Sequence, residues 1–328
     1  MLPMFDLESQ KQRGMMYRRI RDFFDGRGYL EIFTPTLSPT LIPEPTIQDF
    51  ETRFVNEFVG DRDFYLIPSP EIFMKEVLAC GSPSVYQISQ CFRNSEQLGC
   101  IHNPEFTMLE YYTLGFDEKD SIALTRQLID ALLMDDCPSF MKEDFLVMSV
   151  NEAMIRWAGT DLEEHQDRRR LARRAEELGQ SPAPDEAWDD IFNRIFITYV
   201  EPELPRDRIV VLTDYPYQID CLAQRRPGTP WRSRWEMYIA GIEVANCYSE
   251  ETDVEVTKAY YEKEYARLVS QRAGTGLPIP DVSDRFPTIE VPPSSGVAIG
   301  LDRLLMCLTG RKDIRDVLLF PFDRLMSE

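Results

Sequence analysis

Arg93 and Glu110 stand in two apolar, strand-like segments, 85–93 and 105–114, joined by a polar loop that holds His102. Side chains alternate faces along a strand, so Val85, Gln87, Ser89, Cys91 and Arg93 share a small, polar face. Phe106, Met108, Glu110 and Tyr112 share one on the partner segment. A charge in a half-buried sheet is costly alone, so it needs either an internal ion partner or a ligand. A second hairpin, "RWEMYIAGIEVANCYSEETD", is predicted to turn at Ala240-Gly241. A two-residue loop there sets Glu243 opposite Tyr238 and on the same face as Glu236. Two carboxylates on one apolar face repel unless a cation lies between them, and Mg²⁺ takes one or two carboxylates together with phosphate oxygens and water. Asn246 and Glu250 follow at once. Alternation cannot keep all four on one face, so a bulge or bend is expected in this strand.

The third stretch with chemical potential is "GVAIGLDRL". Small residues at 296, 298 and 300 let a ligand approach the backbone. Arg303 falls in the first turn of the helix that follows, where N–H groups and a cation together suit an anion. The usual phosphate-binding loops, GxxxxGK and GxGxxG, are absent.

These side chains need a scaffold. Apolar spacing predicts a helix within 9–29, ended by Gly26 and Gly28, and "YLEIFTPTL" reads as a short strand stopped at Pro35. A helix is expected over 118–135, and residues 150–202 read as helices in pieces, broken by "GQSPAPDE". "RIVVLTDYP" and 234–248 return to strand character, 277–293 is a proline-rich loop, and "GVAIG" leads into a helix capped near Gly310. Hairpin-like strands with helices at the ends and in one insert predict an α+β fold, an antiparallel sheet flanked by helices.

Composition narrows the function. The 328 residues are 43% hydrophobic and 28% charged, with no apolar run of membrane-spanning length, and the first residues do not read as a signal peptide. Seven cysteines without a CxxC pair argue against a zinc site or a disulfide framework and fit a reducing cytoplasm. Two histidines make a multi-histidine metal site or a histidine-centred triad a poor reading. A net charge of −20 opposes nucleic-acid binding, for which the run "DRRRLARR" at 167–174 is the local exception.

"RGYLEIFTPTL", "FRNSE…HNPEFTMLEYY" and "GVAIGLDRL" resemble, in order and spacing, motifs 1, 2 and 3 of class II aminoacyl-tRNA synthetases. "SPEIFMK" and "GIEVAN" are similar to the lysyl-tRNA synthetases, and most of all to their short paralogues that modify elongation factor P. The resemblance implies a single class II catalytic domain over 1–328 with a helical insert at about 150–202 and no anticodon-binding domain. It implies an ATP- and Mg²⁺-dependent ligase that adenylates lysine or (R)-β-lysine and transfers it to a lysine of elongation factor P. A tRNA or small-molecule acceptor, or a non-catalytic sensor of amino acid or nucleotide, are the alternatives.

The same resemblance assigns residues. Arg93 and Arg303 are the catalytic arginines. ATP falls to Arg93, Asn94, Ser95, Glu96, Asn103, Glu243, Val244, Gly300 and Arg303, and the metal to Glu236 and Glu243. Ser69, Pro70 and Glu71 meet the substrate amine and Asn246 its carboxylate. Glu110, Tyr112 and Glu250 form the far end, and Ala298 stands where lysyl-tRNA synthetases usually have glycine. The loop from Arg93 to His102 is one residue longer than usual, so Ser95 or Glu96 matches the family's loop glutamate. Cys247 replaces a glycine and is expected to add bulk beside the pocket. The resemblance also implies a homodimer through motif 1, a cytoplasmic enzyme, and no tRNA or membrane partner.

Overall fold

Helix α1 (Leu7–Asp25) opens the fold in the computed structural model, which describes residues 6–40, 44, 47–273 and 286–326. Asp6 caps it by accepting from the Glu8 and Ser9 amides, and Met16, Ile20, Phe23 and Phe24 form its buried stripe. The predicted strand after it is broken. Only β1 (Leu30–Glu31) pairs there, and β2 (Leu37–Ser38), past Pro35, joins a small sheet with β3 (Phe50–Phe54) and β4 (Arg62–Leu66). Helix α2 (Glu71–Ala79) leads to β5 (Val85–Phe92) and β6 (Glu105–Leu114), then to α3 (Glu118–Leu132). Strand β7 (Leu146–Ser149) precedes three short helices, α4 (Val150–Ala158), α5 (Arg168–Glu177) and α6 (Trp188–Ile195). Strands β8 (Ile209–Pro216), β9 (Trp231–Ile239) and β10 (Ile242–Ser249) follow, then α7 (Val254–Arg272), β11 (Ser294–Gly300) and α8 (Leu301–Leu308).

The main sheet runs β1-β5-β6-β11-β10-β9-β8-β7. All its inner pairings are antiparallel, as expected, while the outermost pairs β1/β5 and β7/β8 are parallel. Among the described residues the sheet's two faces are buried differently. On one, Trp235, Met237, Val211, Tyr111 and Ile299 pack with α1, α3 and α8 in the larger core. On the other, α4–α6 cover Val210, Leu212, Tyr215 and Tyr238 with a second apolar cluster, confined to the β8–β9 end. Helix α2 covers Val85 and Tyr112 near the opposite end. Between these two covers, among the described residues, the sheet face carries polar side chains and no apolar cluster spans it.

Within 277–293 only residues from 286 on are described, and they carry one short 3₁₀ turn at Phe286–Thr288; the remainder of that predicted loop lies outside the described residues. The basic run at 168–174 is largely consumed within the α4–α6 region itself. Arg168 donates to the Ala183 and Glu186 carbonyls, Arg170 to Glu164 O, and Arg174 to Ala158 O and Thr160 Oγ1.

Candidate active site

The polar face is built by register. Gln87, Glu110, Ala298, Asn246 and Glu236 pair in sequence across β5, β6, β11, β10 and β9, which sets five side chains in one row. The β9–β10 turn has the expected two residues, Ala240 and Gly241, both with positive φ, and Glu243 faces Tyr238. Two residues on, the pairing shifts: Ala245 faces Met237, leaving Val244 as the extra residue of a bulge. That extra residue returns Asn246, Tyr248 and Glu250 to the face that holds Glu243. The bend demanded by the sequence thus lies at Val244.

Two adjoining recesses occupy this face. Arg93, Glu96, Asn103, Glu243, Val244, Gly300 and Arg303 line the first, with His102 and Ile101. Ser69, Glu71, Glu110, Tyr112 and Glu250 line the second, with Glu44 and Tyr248. Arg93, Met108, Asn246 and Ala298 line both. Arg93 therefore stands at the junction, and its buried Nε has no hydrogen-bond partner among the described residues. Its guanidinium lies 5.2 Å from the centre of the Phe106 ring, which positions it without neutralising it.

In the first recess Arg303 is fixed from two sides: Nε donates to Ile101 O and an Nη to Glu243 O, both at 2.9 Å. Burial lowers its pKa, and nearby Arg93 adds to the effect while Glu243 opposes it. The next residue back, Asp302, anchors the helix start: it accepts from the Thr107 amide at 2.7 Å and pairs with Arg13 of α1 at 2.6 Å. A Cβ built on Gly300 would meet only Val244 O at 3.8 Å and Arg303 Cδ at 4.0 Å, so the protein itself leaves this space open. Burial and Arg303 hold the His102 pKa below its ordinary value against the pull of Glu96, 3.7 Å away.

Glu243 and Glu236 share the face but not the exposure. Glu236 is buried and saturated, taking Arg234 at 2.5 Å, Tyr215 Oη at 2.6 Å and Tyr238 Oη at 2.7 Å. The Glu243 carboxylate meets solvent and forms no hydrogen bond among the described residues. Desolvation by the recess walls, then the Glu236 charge, raises its carboxyl pKa. An open carboxylate backed by a second one fits a cation. His, Cys, Asp and Glu form no three-residue metal cluster among the described residues, so protein ligands alone do not complete a site.

The second recess is acidic. Glu110 accepts the Ser69 hydroxyl at 2.6 Å, and Glu71 Oε1 and Glu250 Oε2 pair with Lys75 at 2.5 and 2.7 Å. Burial, then Glu71, pushes Glu110 up to about 8. Burial pushes Glu250 up to about 7 with help from Glu71 and against Lys75. Glu44 rises to about 7 by burial and the same Glu71 charge.

Four sequence-predicted residues line neither recess: Glu236, buried under its hydrogen bonds, and Pro70, Asn94 and Ser95. Pro70 sits behind Ser69 and Glu71 as the first cap of α2. Asn94 and Ser95 form a local turn, in which Ser95 has a φ of 55° and donates its hydroxyl to Gln48 Oε1 at 2.6 Å. Glu96, and not Ser95, is the loop residue in the recess. The expectation for Cys247 fails: its side chain is fully buried on the opposite face, 3.1 Å from Ser121 Oγ of α3, because neighbours of Asn246 point the other way. Gly296 gives no room to a ligand either, since a Cβ there would overlap Glu250 Oε1 and the Tyr112 ring.

The motifs thus come together as one site, and the comparisons name its family. The sequence profile of class II tRNA synthetases (D, K and N) matches residues 7–324. The chain belongs to this family. Among class II relatives, it is 32% identical over 98% of its length to an elongation factor P–(R)-β-lysine ligase from Hamiltonella defensa, covering 97% of that protein. It is 33% identical to the ligase of the same name from Vibrio cholerae, with 98% of each chain covered. A lysine–tRNA ligase from Pelotomaculum thermopropionicum is 33% identical over 94% of this chain, which spans 62% of that relative.

Sequence reasoning missed Lys75, Glu44 and Tyr248 in the class II site. Lys75 had a readable signal, an ammonium one helical turn after Glu71 in a helix that is apolar apart from these two and Glu76. Glu44 had none, for it approaches from a loop distant in sequence.

Proposed function

We propose that this class II protein is an ATP-dependent ligase that adenylates a lysine-type amino acid, (R)-β-lysine in preference to lysine, and passes it to a lysine side chain of elongation factor P. Arg93 carries this reading: a guanidinium nitrogen unpartnered among the described residues, at the junction of an acidic recess and a second recess closed by Arg303. Carboxylates in one recess fit an ammonium; arginines around the other fit phosphates. A carboxylate oxygen of the amino acid attacks the α-phosphorus, the bond to the bridging oxygen breaks, and pyrophosphate leaves. Arg93 bridges the attacking carboxylate and the α-phosphate, and Arg303 meets the far phosphates, so charge is stabilised where it develops without a general base. An acceptor amine then attacks the acyl carbon, AMP departs, and the amine gives up a proton. Glu243, with Glu236 behind it, would hold Mg²⁺, which neutralises phosphate charge. Glu96 and Asn103 border the nucleoside end.

A protein acceptor is favoured over tRNA by the net charge of −20 and by the internal use of the basic run. The exposed apolar side chains of the first segment support a homodimer: Phe33 is 80% exposed and Leu30 47%. The test is Mg²⁺-dependent ATP–pyrophosphate exchange over a panel of amino acids and β-isomers, then transfer to elongation factor P or total tRNA. Exchange with lysine-type substrates and label on one lysine of the factor are expected. Ala298→Gly should narrow the preference for β-lysine, since one methyl in a pocket is worth about 1–3 kcal/mol. Exchange with aspartate or leucine, or efficient tRNA charging, overturns the reading.

A further inference from the structure

Lys75 lies on α2 and is 4% exposed. Its ammonium bridges Glu71 and Glu250, two carboxylates of the acidic recess, so the site already contains a resident cation. Burial alone would lower the lysine pKa, but Glu250 and Glu71 hold it well above the usual value, and Lys75 stays charged. Glu110 and Tyr112 face this cluster from β6, Tyr261 from α7, Glu251 from beyond β10, and Glu44 from its loop. Glu44, Glu71, Glu110 and Glu250 line the recess, against Arg93 at its head. Without Lys75, Glu71 and Glu250 repel one another, so that Glu250 takes up a proton or the two turn apart, and neither state binds an ammonium.

We propose that Lys75 is a positioning residue that determines specificity: its ammonium holds the Glu71 and Glu250 carboxyl groups side by side in the recess wall, and so tunes the recess to an amino acid with a second ammonium. The inference rests on the reading of this recess as a lysine-type site. The same exchange assay tests it with Lys75→Met. The Michaelis constant for the amino acid should rise roughly 10- to 100-fold at pH 7 while that for ATP stays within about twofold. It should recover as pH rises towards 9, because removing the cation raises the Glu250 carboxyl pKa further and a higher pH restores its charge. In Lys75→Ala, n-propylammonium, which replaces the deleted atoms, should restore exchange. An unchanged amino-acid constant in a folded Lys75→Met, or an equal rise for both substrates with no pH recovery and no rescue, overturns the proposal. Should the methionine variant not fold, rescue of the alanine variant decides alone. If the unaltered protein shows no lysine-dependent exchange, it is the functional reading that fails.

Discussion

Glu110 concentrates the site's electrostatics in one carboxyl. It is 3% exposed, and burial with Glu71 lifts it from an ordinary 4.5 to about 8. Between those values the folded protein holds a proton that the unfolded chain has released. Stability from this group is therefore full at low pH and is lost as pH rises towards about 8. The melting temperature of the ligand-free protein should fall between pH 6 and 8.5, and fall less in Glu110→Gln. An ammonium ligand reverses the sign, since it binds the carboxylate. The amino-acid Michaelis constant should drop as pH climbs through about 8, and Glu110→Gln should raise it by roughly 10- to 100-fold, matching a lost charge-assisted bond of about 1.5–3 kcal/mol. Identical pH profiles of melting in the two proteins would remove Glu110 from this role.

The β9–β10 hairpin is the element that makes the site possible. Its turn puts Ala240 at a φ of 54° and Gly241 at 78°, the two left-handed positions of a tight hairpin loop. Asparagine tolerates that conformation better than alanine, so Ala240→Asn should stabilise the protein by about 1 kcal/mol in urea unfolding, with activity unchanged. A destabilised variant would show that the turn is held by something other than backbone preference. The bulge at Val244 does the complementary work: it lets Glu243, Asn246 and Glu250 share a face that strict alternation would deny them.

At the scale of the molecule, helices α1, α3 and α8 close one sheet face, while α4–α6 and α2 wall in the other and leave the site between them. Leu30, Phe33 and Leu37 remain exposed at the end of this arrangement. A dimer through them should appear as twice the chain mass in light scattering, and Phe33→Glu should shift it to monomer at micromolar concentration. A monomeric unaltered protein at that concentration would refute the proposed pairing.

The pairing of 85–93 with 105–114, the β9–β10 turn and the strand-to-helix join at Gly300 were all readable, because period and turn chemistry are local properties of the chain. So was the need for a bulge, though not its place. Local pattern cannot say which distant groups meet. The Asp302–Arg13 anchor, Glu44 in the recess wall and Cys247 behind the sheet follow from packing between segments far apart in sequence. Nor could it separate Glu236 from Glu243. Both are carboxylates on one face, yet one is buried under hydrogen bonds and the other open, because the α4–α6 cluster covers Tyr215 and Tyr238 beside the first. Residue types and spacing determined the chemistry this chain can do. Burial, which depends on every element at once, decided which of those residues are free to do it.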